Sequence, residues 1–199
     1  YSKIKKGDIR SMRKVLQLLS VVVVGIAVAL MLISPELVLI FGSPKYREAV
    51  YVIPPVAASV FFIFIYNILS MPQFYYEKTQ FLMAASMAAA GANVVLNFIF
   101  IRLFGYIAAG YTTLACYMLY SVGHYIVSKQ ILVNEGIQEN LMNPGFLLAC
   151  SVFLIGASII CNLIFPYRIL RYAILLASAG LVFWKKELLL KTMADIRKK

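Results

Sequence analysis

Residues Val15 to Ile33 read VLQLLSVVVVGIAVALMLI, an apolar run with no charge in it. Apolar and polar positions do not alternate along it, as they would in a barrel strand. Crossing a bilayer takes about 20 such residues as a helix. In hydrocarbon every backbone donor and acceptor needs an internal partner, which leaves the helix as the conformation for such a run. The rest of the chain follows suit. Of its 199 residues, 62% are hydrophobic and 14% charged, with a mean hydropathy of +0.86. A soluble domain carries about 25% charged residues, so a soluble enzyme is excluded. Disorder is excluded too, because it requires low hydrophobicity and high charge.

Five further uncharged blocks follow the first. They run from Ala49 to Met71, interrupted by Pro54-Pro55, from Phe81 to Ile101, from Tyr106 to Ser128, from Phe146 to Phe165, and from Tyr172 to Trp184. The last reaches spanning length only if its helix begins near Tyr167 with its arginines at the interface. The expectation is an all-α membrane protein of six transmembrane helices. Ser34-Pro35-Glu36 is expected to end the first helix, and the proline pair to bend the second. The one polar linker of any length, KQILVNEGIQENLMNP at 129–144, separates four helices within residues 1–130 from a final hairpin and basic tail within 131–199.

The net charge of +11 raises the question of nucleic acid, and the placement of the cations answers it. Twelve of the nineteen Lys and Arg residues flank the first and last blocks, where they face anionic headgroups. No recognition motif or interleaved basic-aromatic face accompanies them, so nucleic acid is not an expected partner. Cytoplasmic flanks collect Lys and Arg, which predicts an even number of spans with both ends cytoplasmic. Fourteen basic residues then lie inside, against Lys45, Arg47, Arg102, Arg168 and Arg171 outside. The first run is too long for a signal-peptide core, and no small-residue cleavage site follows it. The chain begins at Tyr1, and a piece of a longer protein is expected.

Chemistry-bearing residues are sparse. Cys116, Cys150 and Cys161 lie within predicted spans without a CxxC or Cys/His grouping, so small packing residues are expected, with no metal site and no cofactor. Every acid falls in a loop or at a helix end, with no pair spaced for general acid–base or two-metal work. His124, the only histidine, is the candidate for coupling to protons; the plainer reading is a hydrogen bond to a neighbour. Arg102, Arg168 and Arg171 read as snorkelling anchors or as an outer anion site.

The interior polar residues are amides: Asn67, Asn93, Asn97 and Asn162. Asn93 and Asn97 share one helix face. Interhelical hydrogen bonding is the structural reading, at about 0.6 kcal/mol per contact; a polar lining of a substrate cavity is the functional one. The stretch AASMAAAGAN, Ala84 to Asn93, lets a neighbouring helix approach closely.

The order of these features resembles the polysaccharide flippases of the multidrug/oligosaccharidyl-lipid/polysaccharide (MOP) exporter superfamily. The resemblance rests on SPELVLIFGSPKYREAV at Ser34 to Val50, on EKTQ at Glu77 to Gln80 opening a span with Asn93 and Asn97, and on FIRLFGYIAAGYTTL at Phe100 to Leu114. This chain has an extra residue between Gly105 and Gly110, and Arg102-Leu103 where the family often has proline. The match covers about residues 10 to 130, and 145 to 184 fits the additional hairpin of fourteen-helix members.

The resemblance implies a fragment of the C-terminal lobe of a 12–14-helix carrier working by alternating access. Its partners would be the remaining N-terminal helices, the bilayer of the inner membrane, and an undecaprenyl-diphosphate-linked oligosaccharide. No P-loop is present, and the resemblance implies a carrier and not an enzyme. Asn67, Asn93 and Asn97 would line its cavity, with Arg47 and Arg102 at the mouth. Two other readings stand beside it. One is a multidrug/cation antiporter of the same superfamily, whose usual mid-span acid this chain lacks. The other is a structural subunit without transport.

Overall fold

The computed structural model describes residues 9–184. They form six α-helices: α1 (Ile9–Phe41), α2 (Ile53–Tyr75), α3 (Gln80–Phe104), α4 (Ala108–Asn134), α5 (Pro144–Ile164) and α6 (Arg168–Trp184). A 3₁₀ segment, Pro44–Tyr51, joins the first two, and no strand occurs among the described residues. α1, α2, α3 and α5 are long and apolar enough to cross a membrane. α4 has the length, at 27 residues, but its tyrosines, threonines and serines make it less apolar. α6 has 17 residues. The Lys- and Arg-rich tail from Lys185 onward, like the lysines and Asp8 before Ile9, lies outside the described residues.

α2 is the centre of the bundle. Ala57, Ala58, Phe61, Phe62, Ile65, Ile68 and Leu69 are buried along it. It packs along its length on α4, with α1 and α5 on its other sides, while α3 packs on α4 and α6 on α1 and α5. The outward faces stay apolar, with Val21, Val22, Ile26, Val152 and Ile160 exposed, as lipid-facing helices require. Serines on these helices fold back on their own backbone. Ser20, Ser59 and Ser70 each donate to a carbonyl three or four residues earlier, which removes a free hydroxyl from an apolar setting.

Two expectations about proline are corrected. α1 does not stop at Ser34-Pro35; it continues to Phe41 with Pro35 inside it. Proline has no N–H for the carbonyl four residues back, here that of Met31, and the Ser34 hydroxyl donates to that oxygen instead, at 2.8 Å. Nor do Pro54 and Pro55 bend a span. They occupy the first turn of α2, where the missing N–H groups would have had no helical partner, and the residues before them form the 3₁₀ segment. A 33-residue α1 is about 50 Å long, longer than the hydrocarbon core. Arg10, Arg13 and Lys14 lie at one end of it, and the exposed Leu39, Ile40 and Phe41 at the other.

The polar linker is shorter than its composition indicates, and it is docked. α4 runs on to Asn134, and α5 begins at Pro144 with the Asn143 side chain accepting from the Gly145 N–H at 2.9 Å. Between them Leu141 and Met142 are buried. Arg13 on α1 donates through Nε to the Asn140 carbonyl at 2.9 Å. Lys78 lies 3.9 Å from Glu135 across the same end. Burial there, with the Glu135 carboxylate adding to it, pushes the Tyr76 phenol above its ordinary value.

Candidate functional site

Between α2, α3 and α4 lies a half-open cavity of about 460 Å³ lined by Tyr66, Ser86, Asn93, Thr113, Tyr117 and Tyr120 among others. That volume is within the range of small-ligand sites, about 300–1,000 Å³. The small residues of AASMAAAGAN make the room: Ala89 and Ala90 line the wall where larger side chains would fill it. The other wall is aromatic. Tyr66 and Tyr117 lie with ring planes 6° apart and centroids 6.3 Å apart, and Tyr120 meets Tyr66 edge-on at 4.6 Å. The Tyr120 hydroxyl and the Ser86 hydroxyl share a hydrogen bond of 2.6 Å across α4 and α3. No ionisable acid or base other than these phenols and Cys116 lines the cavity. It offers π-faces, hydroxyls and one amide.

The amide pair is brought together as its spacing predicts. Asn97 Nδ2 donates to Asn93 Oδ1 at 2.9 Å, and the Thr112 hydroxyl on α4 lies 2.5 Å from Asn97 Oδ1. Asn97 is thereby committed to holding α3 against α4. Asn93 serves both roles, since it orients Asn97's donor and also lines the cavity. Asn67 is not part of this group. It is exposed on α2, and its Nδ2 donates to the Ile63 carbonyl one turn back at 2.7 Å. Asn162 on α5 donates to the Tyr111 hydroxyl at 2.8 Å.

His124 adjoins Tyr66 and Tyr120 of the cavity wall and is fully buried. Gln73 Nε2 pairs with its Nδ1 at 2.8 Å. The rings of Tyr66, Phe81 and Tyr120 surround it at centroid distances of 5.8, 5.5 and 4.4 Å. Its immediate neighbours are therefore one amide and three aromatic rings.

The arginines separate into different roles. Arg102 is exposed and stacks its guanidinium on Phe98, one turn back on α3, at 3.8 Å. Arg47 is exposed on the 3₁₀ segment. Neither lines the cavity. Arg171, expected to snorkel, is instead 1% exposed. It donates from Nη1 and Nη2 to the two Glu36 oxygens, each at 2.8 Å, and from Nη1 to the Leu32 carbonyl at 2.8 Å. The Tyr172 hydroxyl donates to the same carboxylate at 2.8 Å. This cluster clamps α6 to α1, and no local spacing in the sequence announces it.

A second cavity, of about 280 Å³, lies between α2, α4 and α5 and is lined by Phe61, Ile65, Leu69, Met118 and Leu147 among others. Its two serines, Ser121 and Ser151, donate to the carbonyls of Phe62 and Leu147. Apart from the Tyr125 phenol, the rest of the wall is apolar. No family model, curated protein or solved structure matches this chain.

Proposed function

We propose that the chain is part of a carrier that moves a lipid-linked oligosaccharide across the inner membrane, within the C-terminal lobe of a MOP-type flippase. The carrying observation is the cavity between α2, α3 and α4, which combines tyrosine faces, hydroxyls and the Asn93 amide with no carboxylate or fixed cation. A sugar ring has apolar C–H faces edged by hydroxyls. Aromatic faces and neutral hydrogen-bonding groups match it, whereas a carboxylate suits a cationic drug. The largely apolar cavity beside α5 is the kind of surface a lipid tail can follow. Unpaired charge is prohibitively costly to bury, so the diphosphate of such a substrate would stay near the cavity mouth, at the level of Arg47 and Arg102.

In this reading all six helices span. α4 crosses with its hydroxyl-rich face turned to the cavity and away from lipid, and α6 crosses with the Arg171–Glu36 clamp near the outer interface. Both ends of the chain are cytoplasmic, and the remaining helices of the carrier complete the passage.

Deleting the complete gene tests the proposal. The undecaprenyl-linked precursor should accumulate on the cytoplasmic side while surface glycan falls; unchanged glycan with no accumulation would refute it. Within the chain, Asn93→Leu together with Asn97→Leu should reduce transport far more than it reduces the amount of protein in the membrane. Full transport at normal expression would return both amides to a packing role.

A further inference from the structure

At the end of the bundle opposite the Arg171 clamp, a separate pocket is built from the first two turns of α1 and the cap of α5. Arg10, Ser11, Arg13, Lys14 and Gln17 line it with Asn143, around 490 Å³ of open space. Of the five α1 residues, Arg10, Arg13, Lys14 and Gln17 are spaced i, i+3, i+4, i+7 and so share one helix face. Glu139 is their acidic counterweight: Arg10 Nε donates to it at 3.1 Å, and Arg13 approaches it at 3.6 Å. Lys14 has no acidic partner among the described residues and is exposed. Among the described residues, three cations thus face one carboxylate, and the surplus is positive.

Rigidity separates this pocket from a loose basic tail. The Arg13 guanidinium is fixed by the Asn140 carbonyl, and Asn143 is fixed by capping α5. The positive end of the α5 helix adds to the field there. The pocket also lies where the uncharged run from Val15 begins, at the depth of the headgroup layer. One turn beyond Gln17 on the same face of α1, Val21 is exposed, offering hydrocarbon immediately below the charges.

We propose that this pocket binds a phosphate-bearing anion, whether the phosphodiester headgroup of an acidic lipid or free phosphate, with Lys14 and Arg10 as the contacting cations and Gln17 as a neutral donor. Such basic pockets between helices at the cytoplasmic face suit acidic headgroups. The site is remote from the tyrosine cavity and does not depend on what that cavity carries.

Native mass spectrometry of the full chain in non-ionic detergent provides the test, with phosphatidylglycerol, phosphatidylcholine and inorganic phosphate as separate probes. The expected result is preferential retention of phosphatidylglycerol, reduced more than tenfold in Lys14→Glu/Gln17→Glu, which removes one cation and adds two anions, given about 1 kcal/mol per charge near a headgroup and 1.4 kcal/mol per tenfold. Retention of inorganic phosphate that the same variant abolishes, without a lipid preference, would assign the site to the free anion. Lys14→Gln, which leaves every hydrogen bond described above in place, repeats the measurement if the double variant fails to fold. Equal retention of both lipids with no phosphate bound, or a lipid preference unchanged in both variants, would overturn the proposal.

Discussion

Arg171 is held by three hydrogen bonds to two acceptor groups on α1, the Glu36 carboxylate and the Leu32 carbonyl. A buried ion pair of this kind is retained only when hydrogen bonds complete it, because desolvation of both charges opposes the Coulomb attraction. Removing one partner strands the other, at a cost of about 3–5 kcal/mol, whereas replacing both with apolar residues is often neutral. Arg171→Met should therefore lower stability by about 3 kcal/mol, the lower end of that range, since the Glu36 side chain is 27% exposed. Glu36→Leu/Arg171→Met should recover most of the loss. Thermal unfolding in detergent reads both, and a single variant as stable as the native chain would remove the clamp from the account. The two residues are 135 positions apart, so neither period nor motif links them. Each looks, in sequence, like an ordinary interfacial charge. Asn93 and Asn97 are the opposite case, because four positions on one helix already dictate their contact.

At the scale of the elements, close approach is decided by small residues at particular points. Gly110, in the first turn of α4, faces the start of α2 so closely that a Cβ would lie 2.8 Å from Pro55 Cγ and 2.9 Å from the Val52 carbonyl oxygen. Gly105, which ends α3, has a φ of +76°, a conformation glycine adopts without penalty. The five-residue spacing between them is what this corner uses. Gly110→Val should destabilise by about 1–3 kcal/mol, as overpacking does. Gly91→Ala, at a site open for 4 Å around, should be neutral or stabilising by up to about 1 kcal/mol. Equal effects in the same unfolding assay would refute the crowded corner. The apolar runs made the helices legible, and their ends were less so. Proline signals a break by default, yet Ser34 lets α1 pass through Pro35, and the proline pair opens α2 because the 3₁₀ segment precedes it. Local composition cannot distinguish these outcomes, which depend on one hydroxyl and on where the preceding turn lies.

For the molecule as a whole, the charge asymmetry predicts orientation. With Cys116, Cys150 and Cys161 replaced by alanine, Lys45→Cys should react with a membrane-impermeant maleimide in intact cells. Lys129→Cys should react only after permeabilisation. The reverse pattern would invert the bundle and place the Arg10–Lys14 pocket outside. The all-helical architecture follows from hydropathy alone, but the packing order does not. That α2 forms the centre and α3 the edge depends on long-range fit between faces, which the apolar content of each helix leaves open.

The position of α3 has one more consequence. None of its residues is buried; Met83, Met87, Val95 and Phe98 face outward, and its inner face meets α4 through Asn97–Thr112 and Ser86–Tyr120. A helix attached along a single seam can tilt without opening the core around α2. The same helix forms one side of the tyrosine cavity, so a tilt of α3 along that seam changes the aperture of the cavity. Whatever leans on the outer side of α3, lipid or another helix, acts directly on how wide the cavity stands open.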